Sequence, residues 1–245
     1  MLSRYLFNPY TLLACVGRPT TIFTTFFTLL SINHACEAKV VTAAFALAIA
    51  SYMSLHPALL LPPIGLLCYD RLCHLLTKPH ENGTPQQAPP SNAKVAVDQR
   101  TLPNAYTFPL QFVTAFAISA AFLLALSRLL LPSWQFIPSV YLTPLQLPDL
   151  TPNSGLWWYF FIEMFDPFRS FFLGVFWLHM LSYSVPFCLR LRKQPLAAVV
   201  LMMGVVAVFE PYACAGDAGA WLSCLSLLSH VFDCASLGFR LWSIS

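Results

Sequence analysis

Three ionisable side chains stand at a regular spacing in one aromatic segment. Glu163, Asp166 and Arg169 are each three residues apart, so each neighbouring pair would share a face of a continuous helix. Charged groups near lipid are costly unless they are paired or hydrated. The spacing has two interpretations. In one, the segment forms a site that faces lipid headgroups, with Arg169 binding a phosphate. In a simpler alternative, Asp166 N-caps the helix that starts at Pro167, and Glu163 or Arg169 neutralises a neighbour.

Aromatic side chains precede these charges. Trp157, Trp158 and Tyr159 are adjacent, and such amphipathic rings favour the headgroup level, where they usually anchor a protein rather than form a ligand cage. Asn153 or Ser154 is predicted to cap a short interfacial helix, followed by a break and then a long span. The residues predicted to contact a lipid or a partner are Trp157, Trp158, Tyr159, Glu163 and Arg169.

No catalytic residue, metal ligand or cofactor is predicted. The sequence lacks the nucleophile-elbow, P-loop and zinc-protease motifs. Cys68, Cys73 and His74 match no standard zinc spacing, and a second ligand pair is missing.

Four further ionisable residues have ordinary explanations. His56 stands before Pro57 at a predicted helix break, where a turn accounts for it. His179 is expected to form a hydrogen bond between helices. Glu210 and Asp217 flank a short turn, and we expect their carboxylates to be hydrated.

The composition predicts a membrane protein. Of the 245 residues, 58% are hydrophobic and only 9% are charged, whereas soluble domains carry roughly 25% charged residues. So little charge cannot cover a surface that faces water, and lipid is the expected solvent for much of it. The net charge of +3, with no basic stripe, gives no support to nucleic acid as a partner.

Apolar runs locate the membrane segments. The clearest spans are 107–131 and 170–189, which approach the roughly 20 residues that a bilayer core requires. The run 40–69 lacks Lys, Arg, Asp and Glu, and Pro57, Pro62 and Pro63 are expected to break it. Three shorter segments, 19–33, 195–209 and 218–232, bring the expected total to about six or seven. The predicted fold is an all-α, polytopic membrane helix bundle with broken and short helices.

The distribution of basic residues predicts the orientation. Residues 70–106 and the turn after Leu189 carry several Lys and Arg, whereas 132–155 and 210–217 carry none, which places the first pair in the cytosol. Spans 107–131 and 170–189 must then cross in opposite directions.

The chain divides into N-terminal membrane segments (1–77), a polar cytosolic linker (78–103) and C-terminal membrane segments (104–245). The last part includes a lumenal aromatic and acidic segment at 150–172. The linker contains a sequon at Asn82, which should stay unmodified in the cytosol.

Several ordered motifs resemble one known family. The run DLTPNSGLWWYFFIEMFDPF (149–168) is similar to the most characteristic region of the PIG-U family, and so are SWQFIPSVY (133–141), FNPYTLLACVGRPT (7–20) and ASYMSLHPALLLPP (50–63). A looser similarity covers AVFEPYACAGDAG (207–219). Family members continue before the first motif and well beyond residue 217, and the stretch after 232 resembles none of these motifs. The chain is therefore expected to be a fragment or a truncated member.

The resemblance implies a function and a setting. It implies a non-catalytic subunit of the GPI transamidase complex, in the endoplasmic reticulum membrane, that helps bind or present the GPI lipid. The implied partners are the other transamidase subunits, one of which carries the cysteine nucleophile, together with the GPI lipid and the membrane. The family's helices look like those of GT-C glycosyltransferases.

Two other functions remain alternatives. A GT-C type enzyme that transfers lipid-linked sugars would need a non-cytosolic acid as base or metal ligand, and only Asp149 and Glu163 are plausible here. A transporter would need paired interrupted helices and intramembrane charge, but the sequence shows no repeated half.

Overall fold

The computed structural model describes residues 8–17, 19–77, 104, 106–131, 133–153 and 155–228. All regular secondary structure within these ranges is helical. The predicted polar linker 78–103, its sequon, and the chain from residue 229 onward lie outside the described residues.

In the N-terminal half, the described residues form four α-helices and one short 3₁₀ turn. They are α1 (Pro9–Gly17), α2 (Thr21–Cys36), α3 (Val40–Met53), the 3₁₀ turn (His56–Leu60) and α4 (Leu61–Thr77). Buried alanines run along α3, and small side chains of this kind let helix backbones approach closely. The Ser31 hydroxyl of α2 donates to the Ala43 carbonyl of α3 over 2.8 Å. The two helices therefore pack as a tight antiparallel pair.

The C-terminal half combines long helices with short ones. They are α5 (Thr107–Leu130), a π-helical turn (Pro138–Leu142), α6 (Thr143–Gln146), α7 (Leu156–Ile162), α8 (Asp166–Arg190), α9 (Pro195–Phe209), α10 (Ala215–Leu225) and a final 3₁₀ turn (Ser226–Leu228).

Within the described residues, three helical segments are long and apolar enough to cross a bilayer: His56–Thr77, Thr107–Leu130 and Asp166–Arg190. The predicted all-α membrane helix bundle is thus confirmed, and the predicted spans 107–131 and 170–189 coincide with two of these candidate helices. The apolar helices Val40–Met53 and Pro195–Phe209 are shorter; at 1.5 Å per residue each covers roughly 20 Å of a ~30 Å hydrocarbon core. The total of six or seven segments stays a prediction.

The expected interruption of the run 40–69 occurs at Pro57 alone. Helix α3 ends at Met53, and the 3₁₀ turn follows. Pro62 and Pro63, however, lie in the first turn of α4, where a helix tolerates proline because the N–H groups there have no helical acceptor. The prediction that these two prolines break the chain was therefore wrong.

Side chains from distant helices satisfy the backbone at this interruption. The Tyr141 hydroxyl donates to the Tyr52 carbonyl over 2.8 Å, and the Ser184 hydroxyl of α8 donates to the Leu59 carbonyl over 2.9 Å. Polar backbone groups at membrane depth require such partners. The break is therefore a junction at which several helices meet.

The bundle has two chemically distinct ends. The aromatic end contains residues 133–165 and 210–217, which are joined by the Asn153 amide donating to the Pro211 carbonyl. The basic end contains residues 69–77 and 190–193. Phe108 at the start of α5 shares a cavity with Arg192, just after α8, so α5 and α8 run in opposite directions, as the charge pattern predicted.

Candidate functional site at the aromatic end

The predicted site segment folds as a short helix, a break and a long helix. Helix α7 ends at Ile162 and α8 begins at Asp166, which confirms the order predicted from the sequence. Because residues 163–165 interrupt the helix, Glu163 and Asp166 do not share a continuous helical face. Only Asp166 and Arg169 do, on α8.

The helix starts differ from the capping predictions. Phe165 occupies the N-cap of α8 without a side-chain capping bond, and Asp166 lies in the first turn, where its charge favours the positive end of the helix dipole. Gly155 occupies the N-cap of α7. Asn153 precedes this N-cap, and its Oδ1 accepts a hydrogen bond from the Gly155 N–H over 2.7 Å. Ser154 lies outside the described residues.

The three predicted aromatic residues do not share one environment. Trp157 is fully buried, with ring centroids 5.2 Å from Phe176 and 5.9 Å from Trp177. In this arrangement its ring packs inside the bundle and is not at the surface, so the contact role predicted for it stays a prediction. Trp158 is half-buried, and Tyr159 is 66% exposed. Only the latter two rings are available at the surface.

The predicted charged residues also lie in different environments. Glu163 and Asp166 are exposed, and neither has a cationic partner within 4.0 Å in the described part of the chain. Arg169 instead donates a hydrogen bond to the Leu147 carbonyl, where the backbone takes a positive φ of 46°. Arg169 therefore fixes the loop after α6, and its guanidinium retains further donors.

Exposed aromatic side chains surround these carboxylates. Tyr159, Phe165, Phe168 and Phe171 are each more than half exposed. On this surface apolar rings lie beside carboxylates that have no cationic partner among the described residues. This combination is typical of the headgroup layer or of a protein interface. We call Trp158, Tyr159, Glu163 and Arg169, with the exposed phenylalanines, the aromatic-acidic surface.

A second group of polar residues lies inside the same end of the bundle. His56 Nδ1 is 3.2 Å from Glu210 Oε1 and 3.2 Å from the Ser54 hydroxyl, and the His56 ring stacks on Trp177 at 5.1 Å. The Thr25 hydroxyl donates to Asp217 over 3.1 Å. We call His56, Glu210, Asp217 and Thr25 the polar cluster; the first two are buried, the other two are partly buried, and all four line a cavity of about 60 Å³.

The cluster alters the titration of Asp217, which lies outside the three candidate spans. Burial, reinforced by the nearby Glu210 carboxylate, raises the Asp217 pKa to about 7. Asp217 Oδ2 and His56 Nε2 have no hydrogen-bond partner among the described residues. In that same part of the chain, no three His, Cys, Asp or Glu side chains are arranged to hold a metal ion.

On the sequence alone, a helix break explains His56, Glu210 and Asp217 are expected to be hydrated at one short turn, and Thr25 has no role. Glu210 is in fact buried, contrary to the expectation for a turn carboxylate. The available signal was an acid directly after the apolar helix α9 and a histidine inside an uncharged run. Nothing in the local spacing, however, connects positions 56, 210 and 217.

The remaining predicted candidates form no further site. His74 lies 3.6 Å from Asp70 on α4, and Cys68 is buried, so Cys68, Cys73 and His74 do not converge on one point. His179 packs its ring against Tyr183 and Phe209, with centroids 4.8 and 4.9 Å away.

Comparison with known proteins assigns the chain to a family. The model described as GPI transamidase subunit PIG-U matches residues 1–244. The GPI-anchor transamidase component PIGU of Mus musculus is 33% identical over 228 residues, 93% of this chain and 48% of that protein. The GPI transamidase component GAB1 of Saccharomyces cerevisiae is 33% identical over 232 residues, 93% of this chain and 50% of that protein.

The chain thus spans about half the length of the curated relatives it matches. The match nevertheless covers both the N-terminal helices and the aromatic end, which is the part of the molecule that carries the predicted site. On this evidence the chain is a member of the PIG-U family.

Proposed function

We propose that this chain is a non-catalytic membrane subunit of a GPI transamidase. In this role it crosses the endoplasmic reticulum membrane several times, associates with the other transamidase subunits, and helps bind or present the GPI lipid. Family membership supports the proposal, since the relatives are named as GPI transamidase components.

The observation that carries the lipid-binding part is the aromatic-acidic surface. A GPI lipid combines acyl tails, a phosphate and a glycan, so its binding site needs an apolar surface beside polar groups. Tyr159 and the exposed phenylalanines supply the apolar part, while Glu163 and the remaining donors of Arg169 supply the polar part. Trp157 supports this surface from inside through its contacts with Phe161 and Phe176.

The absence of a nucleophile motif in the sequence supports the non-catalytic assignment. Among the described cysteines, Cys68 and Cys224 are buried within helices, an environment that leaves thiols unreactive, whereas Cys15 is exposed and the others are partly exposed. We propose that another subunit carries out the transamidase reaction and that this chain helps position the GPI lipid.

Affinity purification tests the subunit assignment. We expect the tagged chain, expressed in its own cell type and purified in mild detergent, to bring down the transamidase subunit that carries the cysteine nucleophile, identified by mass spectrometry. A full-length relative purified in parallel controls for extraction. If neither protein recovers that subunit, the assignment fails, and sugar transfer from a dolichol-linked donor tests the GT-C glycosyltransferase alternative.

Lipid analysis of the same material tests the aromatic-acidic surface. We expect Tyr159→Ala and Glu163→Gln each to lower the GPI lipid recovered per mole of chain by about tenfold, the effect of losing roughly 1.4 kcal/mol of binding. The matched control is Tyr106→Ala, because Tyr106 is 89% exposed and precedes α5, away from this surface. Equal recovery from all three variants would refute the proposed site.

A further inference from the structure

A second cavity lies at the basic end, between α4, α5 and the end of α8. Its volume is about 380 Å³, within the roughly 300–1,000 Å³ range of small-molecule sites. Gly65 of α4, Phe112 of α5 and Cys188 of α8 all line it. We call it the basic-end groove.

The walls of the groove are apolar and closely packed. Phe108 and Phe112 are buried, and the Phe108 ring lies 5.3 Å from the Tyr69 ring. A Cβ added at Gly65 would lie 3.2 Å from the Phe112 ring, so glycine lets this ring approach α4. The inner wall is thus fixed by packing between helices.

The outer rim of the groove opens towards the surroundings of the bundle. Val113 is 44% exposed and Leu189 is 74% exposed, and both line the groove. They belong to Thr107–Leu130 and Asp166–Arg190, two of the three candidate membrane spans. An occupant entering from this side would come from the hydrocarbon layer.

A cation stands at one end of this apolar groove. Arg192 lines it together with Tyr69, whose phenol can donate a hydrogen bond. Arg192 is exposed and has no acidic partner within 4.0 Å among the residues that the structure describes. Arg190 and Lys193 flank it, and the stretch 190–194 contains no acid. The charge at this end therefore suits an anion.

We propose that the basic-end groove binds an anionic phospholipid from the membrane leaflet at that end, with an acyl chain between α4, α5 and α8 and the phosphate on Arg192. Basic pockets between membrane helices bind anionic headgroups in this way, and arginine matches phosphate geometry. A water-soluble anion would occupy only the end of the groove near Arg192 and would leave the apolar part between the helices empty. This site lies at the end of the bundle opposite the aromatic-acidic surface, and it does not depend on the function proposed there.

Native mass spectrometry of the full chain tests the proposal. The chain is reconstituted with phosphatidylcholine alone or mixed with phosphatidylserine, and retained lipid is measured after detergent extraction. We expect phosphatidylserine to be retained selectively, and Arg192→Gln to reduce its retention by about tenfold, as the loss of a charge-assisted hydrogen bond predicts. Arg190→Gln is the matched control, because Arg190 has the same charge in the same turn but does not line the groove.

A second variant tests the apolar part separately. Val113→Trp places a large ring at the exposed rim, and we expect it to reduce retention of phosphatidylserine while leaving the melting temperature of the chain unchanged. Equal retention of both lipids by the unaltered chain, equal losses in the two arginine variants, or full retention by a folded Val113→Trp chain would overturn the proposal. Displacement of the bound species by inorganic phosphate alone, or a photocrosslink from Val113 to another protein in place of lipid, would also overturn it.

Discussion

At the level of single side chains, the contact between His56 and Glu210 is the most consequential polar interaction described here. Both side chains are buried, and together they join the 3₁₀ turn to the residue after α9. A buried polar group that loses its hydrogen-bond partner keeps the cost of its desolvation without compensation. The pair therefore specifies how the two halves of the chain meet.

We expect Glu210→Ala to destabilise the chain by about 2 kcal/mol, because it leaves the buried His56 ring without its carboxylate partner, and to lower Tm by roughly 4–8 °C for a chain of this size. Thermal unfolding in detergent, followed by circular dichroism, measures the change. Glu37→Ala is the matched control: Glu37 lies 2.9 Å from Lys39, but both side chains are largely exposed. A similar Tm for the two variants would show that burial of the His56–Glu210 pair has no special effect.

Asp217 provides a prediction about pH. Its pKa is raised to about 7 by burial and by Glu210, from an ordinary value near 3.9 in the unfolded chain. The folded state then binds the proton more tightly, so this stabilising contribution is full below about pH 4 and is lost as pH rises towards 7. We expect Asp217→Asn, which stays neutral, to flatten the fall in Tm over this interval.

The same pH series with Glu163→Gln is the control, because Glu163 is an exposed acid. Its Tm profile should follow that of the unaltered chain. A fall in Tm between pH 4 and 7 that Asp217→Asn leaves intact would rule out the buried carboxylate as its source.

Single residues also show which features the sequence could predict and which it could not. The composition of 150–172 correctly predicted an aromatic helix, a break and a span. It could not predict that Trp157 faces the core while Tyr159 faces outward, because α7 is apolar on every side and so lacks the polar stripe that would orient it. Likewise, Arg169 binds a carbonyl whose position depends on the loop after α6.

At the level of elements, helix lengths follow from the apolar runs. Helix α9 occupies Pro195–Phe209, the same bounds as the predicted apolar segment, because a proline and an acid delimit it. The contact of α9 with α10 was not predictable, since α9 is apolar throughout and has no distinct face. It rests on Gly204, where an added Cβ would lie 2.6 Å from the Trp221 ring.

We expect Gly204→Ala to destabilise the chain by about 1–3 kcal/mol, because the methyl group must displace Trp221 or separate the helices. Gly174→Ala in α8 is the matched control: no heavy atom lies within 4 Å of its added Cβ, so it should be neutral or stabilise by up to about 1 kcal/mol through helix propensity. Chemical or thermal unfolding of both variants measures the difference. If Gly174→Ala proved the more damaging change, the described α9–α10 contact would be wrong.

At the level of the whole molecule, the candidate spans remain largely uncovered. In the most apolar stretch of each, only 28%, 6% and 11% of the residues are buried for His56–Thr77, Thr107–Leu130 and Asp166–Arg190. Such apolar surfaces require lipid or other membrane helices around them. The structure separates the aromatic end from the basic end, and the positive-inside pattern predicts that the basic end faces the cytosol.

Glycosylation mapping in microsomes tests this orientation. We expect Asn82 to stay unmodified, whereas Asp149→Asn should add one glycan, because it creates the sequon Asn-Leu-Thr that ends at Thr151 on the exposed aromatic end. A gel shift removed by endoglycosidase reports the glycan, and Thr84→Ala, which abolishes the native sequon, identifies any signal from Asn82. Modification of Asn82 without a gain in the Asp149→Asn variant would reverse the orientation.

The interruption between α3 and α4 has a consequence for biosynthesis. The Tyr52 carbonyl receives its donor from a residue 89 positions later, and the Leu59 carbonyl receives its donor from one 125 positions later. The ribosome adds about 5–20 residues per second. Glu210, the partner of His56 at this junction, is therefore synthesised roughly 8–30 s after His56. The first helices therefore enter the membrane before the groups that complete their hydrogen bonds exist. During that interval water or other polar groups must satisfy these carbonyls, and a nascent chain that ends before Ser184 retains an incomplete junction.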